Sequence, residues 1–148
     1  MKKLSLFILF LLLSCSGDSG NNSASEATLL IGKWKTLTVG WLVNGQEEDI
    51  VPPQSASCNM PYDFEYLDTG YFQVNECNPY STPIQLYNFA GNWSLITDNN
   101  VKKIVHVFAT EESQNFIASI KQITSQNLKL YILLDDGRIR VVYLERVQ

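Results

Sequence analysis

Apolar and polar residues alternate in short runs along most of the chain, and turn-forming residues separate the runs. From residue 29 onward the runs are rich in β-branched and aromatic residues and lack helical spacing, which is typical of strands. The pattern predicts nine strands, at residues 32–43, 46–51, 62–67, 71–75, 88–97, 101–109, 115–123, 128–134 and 138–147. A short helical turn at residues 26–31 would plug one end of the folded unit.

The connections between the predicted strands are mostly short and carry clear turn signals, such as Asn44-Gly45, Asp68-Thr69-Gly70 and Asp135-Asp136-Gly137. Connections this short can join only antiparallel neighbours. A long meander has two free edges, and closing it into a barrel removes both. The sequence therefore predicts an all-β fold, an antiparallel up-and-down meander closed into a barrel of about eight strands.

The first 14 residues have a different pattern, because Lys2 and Lys3 are followed by about ten mostly apolar residues at 4–13. A charged start before a short apolar run is typical of a secretory signal peptide. A membrane-spanning helix needs roughly 20 apolar residues, about twice this length. We therefore expect residues 1–14 to be a signal peptide.

The end of that leader, Leu12-Leu13-Ser14-Cys15, resembles the lipobox of bacterial lipoproteins. The resemblance implies that Cys15 becomes the first residue and carries acyl chains such as palmitate, and two or more chains anchor a protein far better than one. The next residues are rich in Gly, Ser and Asn, which predicts a flexible tether at 15–28 and one folded domain at 29–148. Ser16 stands where an aspartate would favour the inner membrane, so we expect an outer-membrane lipoprotein, at the periplasmic face or the cell surface.

The net charge and the cysteine content limit which partners and cross-links are expected. Without Lys2 and Lys3 the chain has nine basic against fifteen acidic residues, a net charge of −6, and it has no basic patch. Nucleic acid is therefore not an expected partner. Cys58 and Cys77 are the remaining cysteines in an oxidising compartment, where a disulfide is the default. A metal site is the alternative, but it would need further ligands, and His106 is the only histidine.

The opening Gly32-Lys33-Trp34, the second Gly91-Asn92-Trp93, the two cysteines and the closing strand at 141–146 occur in a particular order. This layout is similar to the lipocalin-like lipoproteins of Bacteroidota-type bacteria, and the similarity covers nearly all of residues 29–148. It implies a lipocalin-like (calycin) barrel in which Gly32 lets the chain bend and Trp34 plugs one end. It also implies that Arg146 crosses Trp34; alternatively, Arg146 is a solvated charge at the rim.

Residues that could carry out catalysis are scarce. His106 lies in a predicted strand with no supporting pattern, and such a histidine usually points outward or has a hydrogen-bond partner. The acidic pairs lie near predicted turns, without metal-loop spacing. There is no phosphate-binding glycine loop and no Cys-x-x-Cys motif. We therefore expect neither an enzyme nor a bound cofactor or metal.

A barrel of about eight strands can hold one small ligand or fill itself with side chains. The resemblance favours binding of a small hydrophobic or amphipathic ligand, and alternation suggests a cavity lined by Phe64, Tyr66, Phe72, Trp93, Phe108 and Phe116. The alternative is a filled barrel that acts as a protein-interaction or inhibitor module in the envelope. Trp41, Tyr80 and Tyr87 near loops would then be contact residues, since interfaces are enriched in Trp and Tyr.

Overall fold

The computed structural model describes residues 25–53, 58, 60–78, 80, 82–109 and 115–148. The predicted signal peptide at 1–14, the predicted anchor Cys15 and the tether up to residue 24 lie outside the described residues. In the part of the chain that is described, no helix has the length and apolar character needed to cross a membrane.

The described residues form one short helix and nine strands. In chain order they are α1 (Glu26–Leu30), β1 (Gly32–Val43), β2 (Gln46–Val51), β3 (Phe64–Tyr66), β4 (Tyr71–Asn78), β5 (Gln85–Asp98), β6 (Val101–Phe108), β7 (Phe116–Ile123), β8 (Asn127–Leu133) and β9 (Ile139–Arg146).

Eight of these strands form a closed antiparallel barrel, which confirms the predicted fold class. Their order is β1-β3-β4-β5-β6-β7-β8-β9, and β9 pairs back with β1 from Trp34↔Arg146 to Leu42↔Ile139. β2 is the additional strand. It pairs with the later half of β1, whereas β3 pairs with the first three residues along the same edge. One edge of β1 is thus shared between two partners.

Antiparallel pairing collects the connections at two ends of the barrel. One end carries α1 and the turns that follow β3, β5 and β7, and we call it the closed end. The other carries the β1–β2 and β8–β9 turns with the upper ends of β4 and β6, and we call it the open end. The two-residue turns at Asn44-Gly45 and Asn99-Asn100 have positive φ at both residues, the backbone geometry that matches strand twist in tight hairpins.

The strand boundaries differ from the predicted ones by more than one residue only at β3 and in the β4–β5 hairpin. The β4–β5 hairpin continues to Asn78↔Gln85, although the sequence predicted a loop there. β3 is only three residues long, and the carboxylate of the preceding Asp63 accepts a hydrogen bond from the Thr36 amide at 2.6 Å. The Ser25 hydroxyl accepts a hydrogen bond from the Thr28 amide and caps α1, which lies within the predicted helical turn at 26–31 and begins inside the segment predicted as tether.

The core fills the barrel interior. Its buried members come from α1 and from every barrel strand except β5, which contributes the half-buried Phe89, Trp93 and Leu95. The buried members are Leu30, Trp34, Tyr66, Phe72, Val74, Ile104, Ala118, Leu128, Leu130, Val142 and Leu144. Alternate residues of a strand point to opposite faces, so these positions define the interior face of each strand. Gly91 lies on that face of β5, and a Cβ there would meet the backbone of Val107 and Phe108. Only glycine allows β6 to approach β5 so closely.

Candidate functional site

The closed end is sealed by Trp34. Its side chain is fully buried, and its indole Nε1–H donates to the Leu30 carbonyl of α1 at 2.8 Å. The helix thus lies across the end of the barrel and gives the buried indole its one required acceptor. Gly32 has a φ of 130°, which bends the chain between α1 and β1.

Arg146 completes the seal from the last strand. Its guanidinium carbon lies 4.4 Å from the centre of the Trp34 ring, a cation–π geometry. Its nitrogens donate to the carbonyls of Leu29, Ile31 and Ser125, with Nη1 at 2.5 Å from Ile31 and Nε at 2.7 Å from Ser125. Burial lowers the pKa of this guanidinium. Arg146 therefore satisfies the carbonyls at the C-terminal end of α1 as it stacks on Trp34, and it is not a solvated rim charge.

The middle of the barrel contains a buried polar pair. The hydroxyl of Tyr66 and the Nε2 atom of His106 lie 2.8 Å apart, and both side chains are almost completely buried. Burial lowers the pKa of His106 to about 3, and the backbone of Phe116 opposes only part of that shift. Burial also raises the pKa of Tyr66. At neutral pH both groups are therefore uncharged, and a single hydrogen bond joins the Tyr66 hydroxyl to the neutral imidazole.

Aromatic rings surround this pair. The His106 ring stacks on Phe116 with ring centres 4.0 Å apart, and the edge of Phe72 meets it at 5.0 Å. Phe108 lies higher, with its ring centre 5.2 Å from that of Phe72 and 5.9 Å from that of Phe116. Rings therefore fill the middle of the barrel and continue toward the open end. We call Phe72, His106, Phe108 and Phe116 the ring cluster.

The six predicted lining residues lie in this ring cluster or beside it. Tyr66 and Phe72 are buried, whereas Phe64, Phe108 and Phe116 are half-buried against the core. Trp93 also packs on the core, edge-on to Tyr66 at 5.7 Å, and its Nε1–H donates to the Leu67 carbonyl at 3.0 Å. Trp93 thus belongs with the closed end, although the sequence favoured a cavity-facing role for it.

The open end has no equivalent seal in the described residues. Trp41 is half-buried near the end of β1, with the guanidinium of Arg138 over its ring at 4.4 Å. Arg140 is directly opposite Trp41 on one side and Ile132 on the other. Ile132 packs on the core, so the pleat places Arg140 on the interior face as well.

A second polar cluster lies on the outer face of the barrel. Glu47 of β2 accepts hydrogen bonds from the hydroxyls of Tyr131, at 2.5 Å, and Tyr143, and it pairs with the ammonium of Lys129. Burial alone would raise the pKa of the Glu47 carboxyl, but bonds from these three side chains lower it to about 2. The β1–β2 hairpin is thereby fastened across β1 onto β8 and β9. We call these four residues the hairpin latch.

The disulfide predicted from the sequence is present. Cys58 is bonded to Cys77 of β4, and their Cα atoms are 6.4 Å apart. The bond holds the segment before β3 against the upper half of β4. There the backbone carbonyl of Asp63 also accepts a hydrogen bond from the Asn75 amide, at 2.8 Å. A surface groove of about 270 Å³ lies beside this segment, between Tyr62 and the exposed Leu86 of β5.

A further surface groove, of about 320 Å³, lies near the closed end between Lys102, Lys121 and Glu26. Within the described ranges, no group of three or more His, Cys, Asp or Glu side chains is arranged to hold a metal ion. These grooves are shallow features of the outer surface, and neither contacts the ring cluster.

Three residues with structural or polar roles were not identified from the sequence. His106 faces inward, and the signal for this was its alternation with Ile104 and Phe108 on β6. Glu47 belonged to an acidic run near a predicted turn, where solvated charges are the ordinary expectation. Asp63 bonds a backbone amide 27 residues away, a contact that no local pattern encodes.

These features define a closed eight-stranded antiparallel barrel with one sealed end and a ring-filled interior. No protein-family model, curated protein or solved structure matches the chain. Its function must therefore be argued from its own residues.

Proposed function

We propose that the chain is a lipocalin-like lipoprotein, anchored in the outer membrane through Cys15, that binds a small hydrophobic or amphipathic molecule at the open end of its barrel. The observation that carries the proposal is the difference between the two ends. α1, Trp34 and Arg146 seal one end, whereas half-buried aromatic rings reach the other.

The interior indicates where such a ligand would bind. Rings occupy the middle of the barrel, so a deeply enclosed ligand would have to displace the buried Phe72 or His106. The half-buried rings of Phe108 and Phe116 still have exposed surface, and covering it would release water from apolar area. The ligand site is therefore proposed as a shallow one above these rings, and the protein as a binding protein rather than an enzyme.

The anchor is supported by the sequence Leu12-Leu13-Ser14-Cys15 after a charged and apolar leader. Replacing the acylated residue, in Cys15→Ala, is expected to leave an unprocessed precursor or a protein that is absent from the outer-membrane fraction. Membrane fractionation with metabolic labelling by a fatty acid measures both effects. Normal processing and fractionation of Cys15→Ala would refute the anchor.

The ligand is tested by native mass spectrometry of the purified protein for a co-purifying small molecule, and by binding of an apolar fluorescent dye. Ile132→Gln at the inward position should weaken dye binding, whereas Leu133→Gln, on the outer face of the same strand and 62% exposed, should not. Both variants should melt within a few degrees of wild type. Equal dye binding by all three proteins, with no bound molecule, would contradict the proposal.

A protein partner is the second candidate, and the β4–β5 hairpin favours it. Ile84 and Leu86 are 51% and 67% exposed beside the groove at Tyr62. A photoreactive residue at 86 should then crosslink one specific envelope protein in cells, while the same residue at 133 should not. Crosslinking at neither position would remove this candidate.

A further inference from the structure

The interior face of the barrel carries a cation, Arg140, at its open end. Arg140 is exposed, and among the described residues no carboxylate or other acceptor pairs with its guanidinium. Its strand neighbours on the same face are apolar, with Trp41 on one side and Ile132 on the other. One residue pair deeper, Val142 belongs to the core. The positive charge of Arg140 therefore borders an apolar surface.

The neighbouring arginine differs in this respect. The Nη2 atom of Arg138 lies 2.6 Å from the carboxylate of Asp136, and its guanidinium covers the Trp41 ring. Its charge is already balanced by a carboxylate, so it offers little to a further anion. Arg140, only two residues away, has no such partner in the described part of the chain.

From this arrangement we infer that the ligand of the open end is a single-chain amphipathic acid, whose tail lies on the half-buried rings and whose anionic head pairs with Arg140. The inference rests on the proposed function and names its ligand class. A planar guanidinium can bind a carboxylate through two parallel hydrogen bonds, which gives the head a fixed position.

The charges of the interior fix which way round such a molecule binds. His106 and Tyr66 are uncharged at neutral pH, so the buried middle offers an anion no counter-charge, and a buried unpaired charge is strongly unfavourable. An anionic head is therefore held at the wet rim, and only the tail faces the rings. Glu76 shares the interior face of β4 by alternation, so the head is expected on the β9 side of the rim.

The test compares three probes that share one tail: decanoate, decan-1-ol and decyltrimethylammonium. The protein is the mature chain with Cys15→Ser, which prevents acylation and changes no described residue. Isothermal titration calorimetry at low salt should give roughly five- to tenfold tighter binding of decanoate than of decan-1-ol, as an exposed but bidentate ion pair allows. The cationic probe should bind weakest, and added salt should reduce the preference for decanoate.

Substitutions then locate the head. Arg140→Gln should abolish the preference for decanoate and leave decan-1-ol binding unchanged, and Arg140→Lys should retain part of the preference. Arg138→Gln makes the same change of charge at the same end and should alter decanoate binding less than twofold. An equal loss in both glutamine variants would overturn the inference, because it would show a general field rather than a head-group site.

The outcomes separate the inference from the function on which it rests. If decan-1-ol binds as tightly as decanoate, or Arg140→Gln has no effect, the open end binds apolar molecules and the assignment of an acidic ligand is wrong. If none of the three probes binds, both the inference and the proposed ligand binding fail.

Discussion

The two ends of the barrel contain the same kinds of residue in different arrangements. Each has a tryptophan with an arginine guanidinium 4.4 Å from its ring. At the closed end Trp34 is fully buried, and Arg146 donates to three backbone carbonyls. At the open end Trp41 is half-buried, and Arg138 pairs with an exposed carboxylate. The same ring–cation pair thus seals the barrel at the end where backbone carbonyls surround the arginine. At the other end the pair is exposed to water and seals nothing.

The largest expected effect breaks the sealed end. Trp34→Ala should lower the free energy of unfolding by about 3–5 kcal/mol, the usual loss for a large buried ring. The matched change Trp41→Ala should cost about 1 kcal/mol, because that ring is only half-buried. Urea denaturation of both variants measures the difference. Similar losses for the two tryptophans would show that the ends do not differ in the way described.

The second-largest expected effect concerns the open end of the barrel. Removing the Cys58–Cys77 bond, whose cysteines are 19 residues apart, should cost about 3 kcal/mol through the unfolded state. Hydrogen exchange should then rise in the upper part of the β4–β5 hairpin and at residues 60–63. Exchange at the amides between β1 and β9 should stay slow. Uniform loss of protection would mean that the two ends unfold as one unit.

The pH dependence tests the buried middle that separates the ends. The pKa of His106 is lowered to about 3 from an ordinary value of 6.5, so below pH 6.5 the unfolded chain binds a proton that the folded chain does not. Stability should therefore be highest above pH 6.5 and fall as the pH drops toward 3, by about 2 kcal/mol between pH 7 and pH 5.

Because His106 is the only histidine, one substitution isolates this effect. His106→Gln should be less stable at pH 7, but its stability should change little between pH 7 and pH 5. Denaturant titrations at the two pH values provide the measurement. If the free energy of unfolding of the variant falls between pH 7 and pH 5 as much as that of the wild type, another group binds the proton.

The smallest effect concerns the hairpin latch. Glu47→Gln should cost about 1 kcal/mol, because it weakens bonds at a partly exposed surface. The pKa of Glu47 is lowered from 4.5 to about 2, so its stabilising contribution is complete above pH 4.5 and is lost as the pH falls toward 2. Limited proteolysis in the β1–β2 hairpin should detect the release, with Glu48→Gln as control. Equal cleavage of both variants would exclude a special role for Glu47.

The sequence predicted the parts of the fold that local patterns encode. Alternation and turn residues gave the first hairpin and the closed meander, because a strand with one buried face must alternate. Closure also explains why Arg146 reaches Trp34, since the last strand must pair with the first. These predictions needed only the order of the strands and the rule that free edges are avoided.

Contacts between distant outer faces could not be predicted in this way. Glu47 meets Tyr131 and Tyr143 only because the β1–β2 hairpin folds over β1, and that path depends on Gly40, where a Cβ would meet the Glu48 carbonyl and Ile50. The sequence also could not predict whether the barrel interior is filled or open. Alternation identified the inward rings, but whether rings of this size leave a cavity depends on their packing against one another.

The pairing of β1 with β9 has a consequence for the order of folding. Arg146 and Ile31, whose carbonyl it contacts, are 115 residues apart in the chain. The N-terminus of the folded part reaches the folding compartment first, so β1 must wait for its last partner until nearly the whole chain has arrived. Such distant pairing is typical of slow-folding β proteins, because the long intervening loop must close before any contact compensates for it. The closed end, where β1 begins and β9 finishes, is therefore the last to be completed.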